Sequence, residues 1–385
     1  MNKKFKKSIF KVISFVSFCI PKNKKRIFFK SKPDYSGNAK AMSDYIEKNN
    51  PEYELIWSVS DVVKIGTSSK IKLINSKTLK ELYYYFTSSI IMTTHNEMVG
   101  AVAKNQSYIS LWHGMPMKKI CYLGEYDYKG MIDYPATRIA TSEIMRSIIS
   151  ASFHEKANNV MITGQPRNDY LFEPISLGEI GISHAEGKKI VMYIPTFRQN
   201  NEDERYSDGE KIKNNNFFRV EDFDIEALDY YLDNNNIHLV LKLHPYEESS
   251  LGVKGEITNN ITIIDTENLN KKNIDVNQII PWADCLITDY SSVYFDFLLL
   301  NKPIVFLVPD LPQYRAARGG FTLEPFEYWT PGQKTMTQRD LIQALTDVFD
   351  GSDDKYSGQR KVINDLINHH QDSASCSRVM NLIEK

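Results

Sequence analysis

The chain has 385 residues, of which 42% are hydrophobic, and its formal net charge is −1. This length predicts about two to three domains, and the balanced charge argues against a protein that binds nucleic acid through its overall electrostatic field. The four cysteines are scattered without a CxxC pair, a pattern that indicates a reduced compartment and no zinc site.

Residues 1–26 differ from the rest, because they carry nine Lys and Arg residues and no acid. Apolar residues at helical spacing form one stripe: Phe5, Ile9, Val12, Ile13, Val16 and Ile20. A helix with an apolar stripe and a basic remainder is expected to lie in an anionic membrane interface. Packing on its own protein or on a partner is the first alternative. A signal peptide is the second, but "PKNKKR" stands where a small-residue cleavage site would be.

Two series of strands and helices follow. Continuous apolar runs predict strands in the first half at 26–31, 53–59, 70–75, 89–94, 108–113, 138–142 and 159–164. In the second half they predict strands at 189–196, 238–245, 261–265, 284–289 and 303–310. Helices are predicted at 38–48, 76–86, 224–232, 276–283 and 292–300. Such alternation indicates buried parallel sheets, so we expect two α/β arrays with a boundary in the polar stretch 174–188. Residues 198–216 form a polar loop, long enough for a substrate-facing element.

Chemically versatile side chains stand at predicted strand ends, where open parallel sheets place their functional groups. His113 ends a strand of the first array and His244 a strand of the second, while Asp289, Ser291 and Ser292 stand at a strand-to-helix turn. A histidine can act as a general base near neutral pH, and serines before a helix can hold phosphate. Each motif also has a structural interpretation, as a packed histidine or as serines that only cap a helix.

Seven segments, in order, resemble the CDP-glycerol:poly(glycerophosphate) glycerophosphotransferase family, which builds wall teichoic acid and related capsule polymers. They are "FFKSKPDYSGNAKAM" (28–42), "LWHGMPMKKI" (111–120), "TGQPRND" (163–169), "YIPTFR" (193–198), "KLHP" (242–245), "DCLITDYSSVYFDF" (284–297) and "KPIVFLVPDLPQYRAARG" (302–319). The "WHG-P-K" and "TDYSS" motifs are specific together, whereas either one alone is weak.

The resemblance implies an α/β, GT-B-like fold with two Rossmann-like doubly wound domains that face each other across a cleft. The domains would be a membrane-associating segment at 1–26, an acceptor-binding domain at 27–180, a CDP-alditol-binding domain at 185–350 and a C-terminal helical segment at 351–385.

The resemblance also implies roles for individual residues. His113 would deprotonate the acceptor hydroxyl, and His244 would contact the donor pyrophosphate. Ser291 and Ser292 would hold phosphate oxygens. Further donor-side residues would be Asp289, Arg198 and Arg318. Acceptor-side residues would be Asp34, Asn38, Lys118 and Lys119. For Asp34 and Asn38 a turn and a helix cap remain an alternative, and for the two lysines a solvated face does. Arg167 could bind a ligand or staple a turn through an Arg–Asp pair.

The implied reaction transfers glycerol phosphate from CDP-glycerol to an undecaprenyl-diphosphate-linked saccharide and releases CMP. It would take place on the cytoplasmic membrane face, to which the protein would bind peripherally, without nucleic acid and without a tightly bound cofactor or metal. Divalent-cation dependence and homo-oligomerisation stay open. The absence of a large N-terminal extension favours a primase-like member.

Several other interpretations stay open. A CDP-ribitol-using or polymerising member of the same family is one. A nucleotide-sugar glycosyltransferase or epimerase of GT-B type and a non-catalytic scaffold are two more. Met115 stands where the family pattern leads us to expect threonine, so substrate specificity could differ.

Overall fold

The computed structural model describes residues 3–66, 70–124, 129, 131–198, 209, 212–248, 251, 255–351 and 353–383. Within these residues, two seven-stranded sheets are flanked by helices, each sheet forming the centre of one domain. The predicted pair of α/β arrays is therefore confirmed.

The first sheet is parallel throughout, in the order β3-β2-β1-β4-β5-β6-β7. Its strands are β1 (Asn23–Lys30), β2 (Glu54–Val59), β3 (Lys72–Asn75), β4 (Ser88–Thr93), β5 (Ser107–Ser110), β6 (Thr137–Ala140) and β7 (Val160–Ile162). The helices of this half are α1 (Lys3–Cys19), α2 (Gly37–Asn49), α3 (Leu79–Thr87) and α4 (Glu143–Phe153). The strand order reverses between β1 and β4, where a doubly wound sheet opens its ligand crevice.

The second sheet has the order β10-β11-β9-β8-β12-β13-β14 and is parallel except for the β10–β11 pair. Its strands are β8 (Lys189–Tyr193), β9 (Ile237–Leu241), β10 (Gly255–Thr258), β11 (Ile261–Ile263), β12 (Cys285–Thr288), β13 (Ile304–Leu307) and β14 (Gln333–Thr335). The remaining helices are α5 (Ile225–Asn234), α6 (Pro245–Glu248), α7 (Thr266–Lys271), α8 (Val293–Phe297), α9 (Leu311–Arg318), α10 (Phe326–Trp329), α11 (Gln338–Phe349), α12 (Ser357–Ile367) and α13 (Ser375–Met380). The reversal lies between β8 and β12.

Both sheets are buried on their two faces, because alternate side chains of a strand point to opposite sides. In β1, Ile27 and Phe29 enter one apolar cluster while Phe28 enters another. This double burial explains why the strands are continuous apolar runs in the sequence.

The loop that follows β5 connects the domains. Its Met115 and Met117 are buried in an apolar cluster that also contains Tyr290 and Phe321 of the second domain. The Thr322 amide donates a hydrogen bond to the Met117 carbonyl at 2.8 Å. Met115, which departs from the family pattern, thus packs between the domains.

Some predicted elements differ from those observed. The expected helix at 276–283 is two 3₁₀ turns, Val276–Gln278 and Ile280–Trp282, because Pro281 has no N–H to donate and restrains the residue before it. The strand at 108–113 ends at Ser110, before His113. Most of the polar loop at 198–216 lies outside the described residues.

Helix α1 packs on the first domain with one side and exposes the other to solvent. Phe10 and Ile13 pack on the first domain, and Ser14 Oγ donates to the Val102 carbonyl at 2.6 Å. Val12 and Val16 point outward, with exposed fractions of 63% and 50%. Ile13 therefore faces the protein instead of the outer stripe. Among the helices of the described residues, none is both long and apolar enough to span a bilayer.

The chain returns to the first domain at α13. The Asp169 carboxylate accepts hydrogen bonds from the amides of Ser375 at 2.9 Å and Cys376 at 2.8 Å. Cys376 and Met380 are buried in the apolar cluster that β1 and β2 line. Helix α13 therefore completes the packing of the first domain.

Candidate active site in the interdomain cleft

His113 lies in a turn just beyond β5. The flanking Trp112 and Gly114 have φ angles of +51° and +141°, so the chain bends sharply at the histidine. The His113 ring stacks on His95, which follows β4, with ring centroids 4.0 Å apart and planes 7° apart. Its Nδ1 lies 3.2 Å from the Thr94 carbonyl oxygen. Two neighbouring strand ends therefore fix the position of one imidazole.

This geometry fixes the tautomer of His113. A carbonyl oxygen can only accept, so Nδ1 carries the proton and Nε2 of the neutral ring keeps its lone pair. The residue is exposed to solvent, but its ring packs against His95 and Trp112, which removes part of its hydration. This loss of hydration, followed by the effect of His95, lowers the pKa of His113 well below 6.5. Nε2 is therefore available as a base at neutral pH.

His244 holds the corresponding position in the second domain. It follows β9, and its carbonyl oxygen accepts from the Glu247 amide at 2.8 Å, which begins α6. Its ring contacts Phe197, with ring centroids 4.6 Å apart. Burial, followed by the charges of Lys118 and Lys242, lowers the pKa of His244 to about 3. His244 is therefore neutral in the ligand-free protein.

Lys118 lies between the two histidines. Its Nζ is 5.2 Å from the ring centroid of Phe197 and 6.0 Å from that of Tyr314, both in the second domain. Its charge contributes to lowering the pKa of both His113 and His244. A cation from the first domain thus stands at the point where the domains meet, a position suited to an anionic substrate.

The serine turn meets the His113 turn directly. A Cβ atom on Gly114 would lie 2.7 Å from Ser292 Oγ and 3.1 Å from Arg167 Nη2. Because the φ of Gly114 also favours glycine, this residue allows the two turns to approach. Ser291 Oγ accepts from the Val293 amide at 3.4 Å, and Ser292 makes no side-chain cap bond. The Ser292 hydroxyl therefore stands beside the His113 turn, with Ser291 directly before it in the chain.

Two residues predicted on the donor side pair with each other. The Arg198 guanidinium contacts the Asp289 carboxylate at 2.8 Å and the Asp310 carboxylate at 2.6 Å. Only 2% of the surface of Arg198 is exposed. Burial would lower the pKa of Arg198, but Asp289 and Asp310 hold it well above its usual value. Both charges are used within the protein, so direct contact with phosphate stays a prediction for Arg198 and Asp289. Arg318 ends α9, and its side chain lies outside the described residues.

The residues predicted on the acceptor side make hydrogen bonds within the protein. Asn38 is buried, and its Nδ2 donates to the carbonyls of Leu111 at 2.9 Å and Trp112 at 3.1 Å. The Asp34 carboxylate accepts from the Ser60 amide at 2.6 Å. Lys119 Nζ donates to the Gly319 carbonyl at 2.5 Å. Asn38 thus shapes the turn before His113, and Lys119 joins the domains.

Arg167, Asp296 and His95 also lie at the site; of these three, the sequence offered only Arg167 as a ligand-binding candidate. Arg167 donates to the His113 carbonyl at 3.0 Å and to the Asp296 carboxylate at 2.6 Å. The Arg–Asp pair considered for Arg167 therefore exists, but with an aspartate of the other domain. For His95 a signal was present, since it directly follows the predicted strand at 89–94. Within the described residues, no group of three or more His, Cys, Asp or Glu side chains is arranged to hold a metal ion.

Two doubly wound domains, with a histidine from each and a serine turn at their junction, define a two-domain transferase with GT-B-like architecture. The chain belongs to the family described as CDP-Glycerol:Poly(glycerophosphate) glycerophosphotransferase, whose family model matches residues 12–385. It is therefore an enzyme of the glycerophosphotransferase class, as the resemblance predicted.

Two relatives in sequence agree with this assignment, and a solved structure supports the fold. The teichoic acid poly(glycerol phosphate) polymerase of Bacillus spizizenii W23 is 29% identical, and the match covers 88% of this chain and 87% of that protein. The teichoic acid glycerol-phosphate transferase of Staphylococcus aureus is 26% identical over 94% of both chains. A solved structure of the wall teichoic acid polymerase TagF superimposes with a TM-score of 0.77 at 21% identity, covering 100% of this chain and 93% of that one. The predicted GT-B-like fold is thus confirmed.

Proposed function

We propose that this enzyme transfers glycerol phosphate from CDP-glycerol to a lipid-linked saccharide and releases CMP. The observation that supports this most strongly is the approach of the His113 turn to the serine turn at Gly114 and Ser292. It brings the histidine turn of the first domain next to a serine hydroxyl of the second. Such a site can hold an acceptor hydroxyl and a donor phosphate together.

His113 acts as the base in this proposal. Its Nε2 takes the proton of the acceptor hydroxyl, the oxygen attacks the β-phosphorus, and the bond to CMP breaks. A positioned base typically contributes about 100- to 10,000-fold to the rate. The Asn38 and Arg167 contacts fix the turn that carries the base. They support catalysis by positioning.

The donor pyrophosphate lies against Ser291, Ser292, His244 and Lys118 in this proposal. Phosphoryl transfer depends mainly on positioning and on stabilising negative charge, which hydroxyls, an imidazole and an ammonium group can supply. The negative charge of the donor raises the pKa of both histidines relative to the ligand-free enzyme. His113 thereby becomes a stronger base once the donor is bound.

Helix α1 supports a peripheral position on a membrane. Phe5, Val12 and Val16 are at least half exposed, and residues 1–26 contain no acid to repel an anionic surface. Apolar insertion and cationic attraction act together at such surfaces. A cytoplasmic membrane face is where a lipid-linked acceptor and a soluble CDP-activated donor can meet.

A polymerising role is the second candidate. It is favoured by the 29% identity to the Bacillus spizizenii polymerase, of which the match covers 87%. Because that polymerase is of similar size, the compact length of this chain does not separate a primase from a polymerase.

Incubation with CDP-glycerol and a synthetic lipid-linked disaccharide, followed by mass spectrometry, tests both candidates. The proposal predicts a product larger by one glycerol phosphate, whereas a ladder of additions would identify a polymerase. Transfer from CDP-ribitol alone, or of a sugar from a UDP-sugar, would contradict it.

A further inference from the structure

A groove lies between α1 and the loops that follow β4 and precede β6. Its volume is about 780 Å³, which is within the range of small-molecule sites. Its apolar lining includes Phe10, Phe15, Val99, Val102 and Tyr134. Such a lining suits a long apolar chain.

Specific contacts shape the groove. The Phe10 ring packs edge-on against Tyr134, with centroids 5.7 Å apart, and Gly100 lies beneath both. A Cβ on Gly100 would approach Tyr134 to 2.7 Å and Phe10 to 2.9 Å. The glycine therefore allows the helix and the loop to close around the groove. The bond from Ser14 to the Val102 carbonyl holds the other wall.

Three cations border the apolar lining. Lys7, Lys11 and Lys104 line the groove and are exposed. Among the ion pairs of the described residues, none neutralises these three side chains. The carboxylate at the same rim, Asp133, accepts a hydrogen bond from the Tyr122 hydroxyl. The charge of the rim therefore complements an anionic head group on an apolar chain.

The groove lies close to the base. The loop after β4 carries His95, which stacks on His113, and reaches the groove wall at Val99. Four residues of extended chain span at most roughly 14 Å. The groove wall at Val99 is therefore at most roughly 14 Å along the chain from the residue that stacks on His113.

We propose that this groove binds the lipid chain of the acceptor, and that Lys7, Lys11 and Lys104 bind the diphosphate attached to it. The inference rests on the proposed function and specifies how the acceptor is recognised. The outer side of α1, with Val12 and Val16, is separate and remains available to the bilayer. The occupant is the acceptor's own chain, since the groove is concave and adjoins the loop that supports the base.

The test uses two soluble acceptors without vesicles: a disaccharide diphosphate with a farnesyl chain and the same compound with a methyl group. Burial of several methylenes predicts a KM at least about tenfold lower for the farnesyl compound. Val102→Trp, which fills the groove, should raise the farnesyl KM to about that of the methyl compound. Phe15→Ser, at an exposed position, should act in the same direction without affecting folding.

The lysines at the rim of the groove are tested by charge reversal. Lys7→Glu combined with Lys11→Glu should raise KM for both acceptors at least tenfold, because both carry the diphosphate. Three control variants should retain the wild-type ratio of the two KM values. They are Val63→Trp and Lys80→Glu, at exposed positions of the same domain, and Val12→Ser, on the outer side of α1. Soluble short-chain phosphatidylglycerol, which lacks the disaccharide and the second phosphate of the acceptor, should not compete.

Three results would overturn the inference: equal KM values in the wild type, an undiminished ratio in Val102→Trp and Phe15→Ser, or competition by the phospholipid. Failure to turn over either acceptor would instead contradict the proposed function.

Discussion

The imidazole rings of His113 and His95 stack nearly parallel, with centroids 4.0 Å apart, although they follow different strands. The Nδ1 proton of His113 is directed to the Thr94 carbonyl, 3.2 Å away. The stack and the hydrogen bond hold the ring in one orientation and one tautomer. An imidazole held in this way needs little reorganisation to accept a proton, as the proposed role of a base requires.

Replacing His113 tests the base directly. His113→Gln should lower kcat by at least about 100-fold while leaving CDP-glycerol affinity nearly unchanged, because the base acts on the acceptor hydroxyl. Steady-state kinetics and calorimetry measure the two effects. His184→Gln, an exposed histidine of the second domain, is the matched control. Wild-type turnover in His113→Gln would remove this residue from the mechanism.

The pH dependence follows from the lowered pKa of His113. A base works only when deprotonated, so kcat/KM should fall with decreasing pH only well below 6.5. The bound anionic donor raises that pKa, so the acid limb of the kcat profile should lie at higher pH than that of kcat/KM. Coincident limbs in the two profiles would refute the proximity of His113 to the donor.

The donor-side residues should affect binding. His244→Ala, Ser291→Ala and Ser292→Ala should each weaken CDP-glycerol binding by about ten- to a hundred-fold, since a hydrogen bond to a charged group contributes roughly 1.5 to 3 kcal/mol. Titration calorimetry measures this. Ser147→Ala, a serine on the surface of α4, should bind normally. Unchanged affinity in all three variants would place the phosphate site elsewhere.

The Arg167–Asp296 pair should stabilise the domain junction. Asp296 is fully buried, and its carboxylate accepts from Gln165 and Arg167, each at 2.6 Å. Arg167→Ala leaves this carboxylate without its cation, so the free energy of unfolding should fall by about 3 to 5 kcal/mol. Denaturant unfolding provides the measurement. Arg146→Ala, which removes an exposed pair with Glu143, should change stability by at most about 1 kcal/mol. Equal losses in the two variants would contradict this assignment.

The two sides of α1 should respond differently to substitution. Val12→Ser combined with Val16→Ser should weaken sedimentation with anionic liposomes and leave the melting temperature unchanged, because both side chains point outward. Phe10→Ser, on the packed side, should lower the melting temperature by several degrees. High salt should reduce liposome binding of the wild type. Persistent binding in the double variant would indicate that α1 only packs on the protein.

The sequence predicted the framework well because sheet burial leaves a local, periodic pattern. Apolar runs located most strands, and the strand-end rule selected His113, His244 and the serine turn, which the structure brings to one junction. The short edge strands β10 and β14 escaped detection, since Gly255–Thr258 and Gln333–Thr335 are largely polar.

Pairings between distant residues could not be predicted in this way. Arg167 and Asp296 are 129 positions apart, and neither local pattern identifies its partner. Arg198 is predicted to contact phosphate. Its local sequence does not reveal that the fold pairs it with the two carboxylates of Asp289 and Asp310. Ile13 shares the periodicity of the outer stripe of α1, so only the packing of the helix shows that it turns inward.

The return of α13 to the first domain has a consequence for biosynthesis. Asp169 receives two amide hydrogen bonds from Ser375 and Cys376, and Cys376, Val379 and Met380 fill the apolar cluster beside β1. On the ribosome, the first domain must therefore wait for residues 375–380 to emerge, while the whole second domain is synthesised in between. A nascent chain that stalls before α13 exposes an unfinished apolar surface, which is the kind of intermediate that chaperones bind.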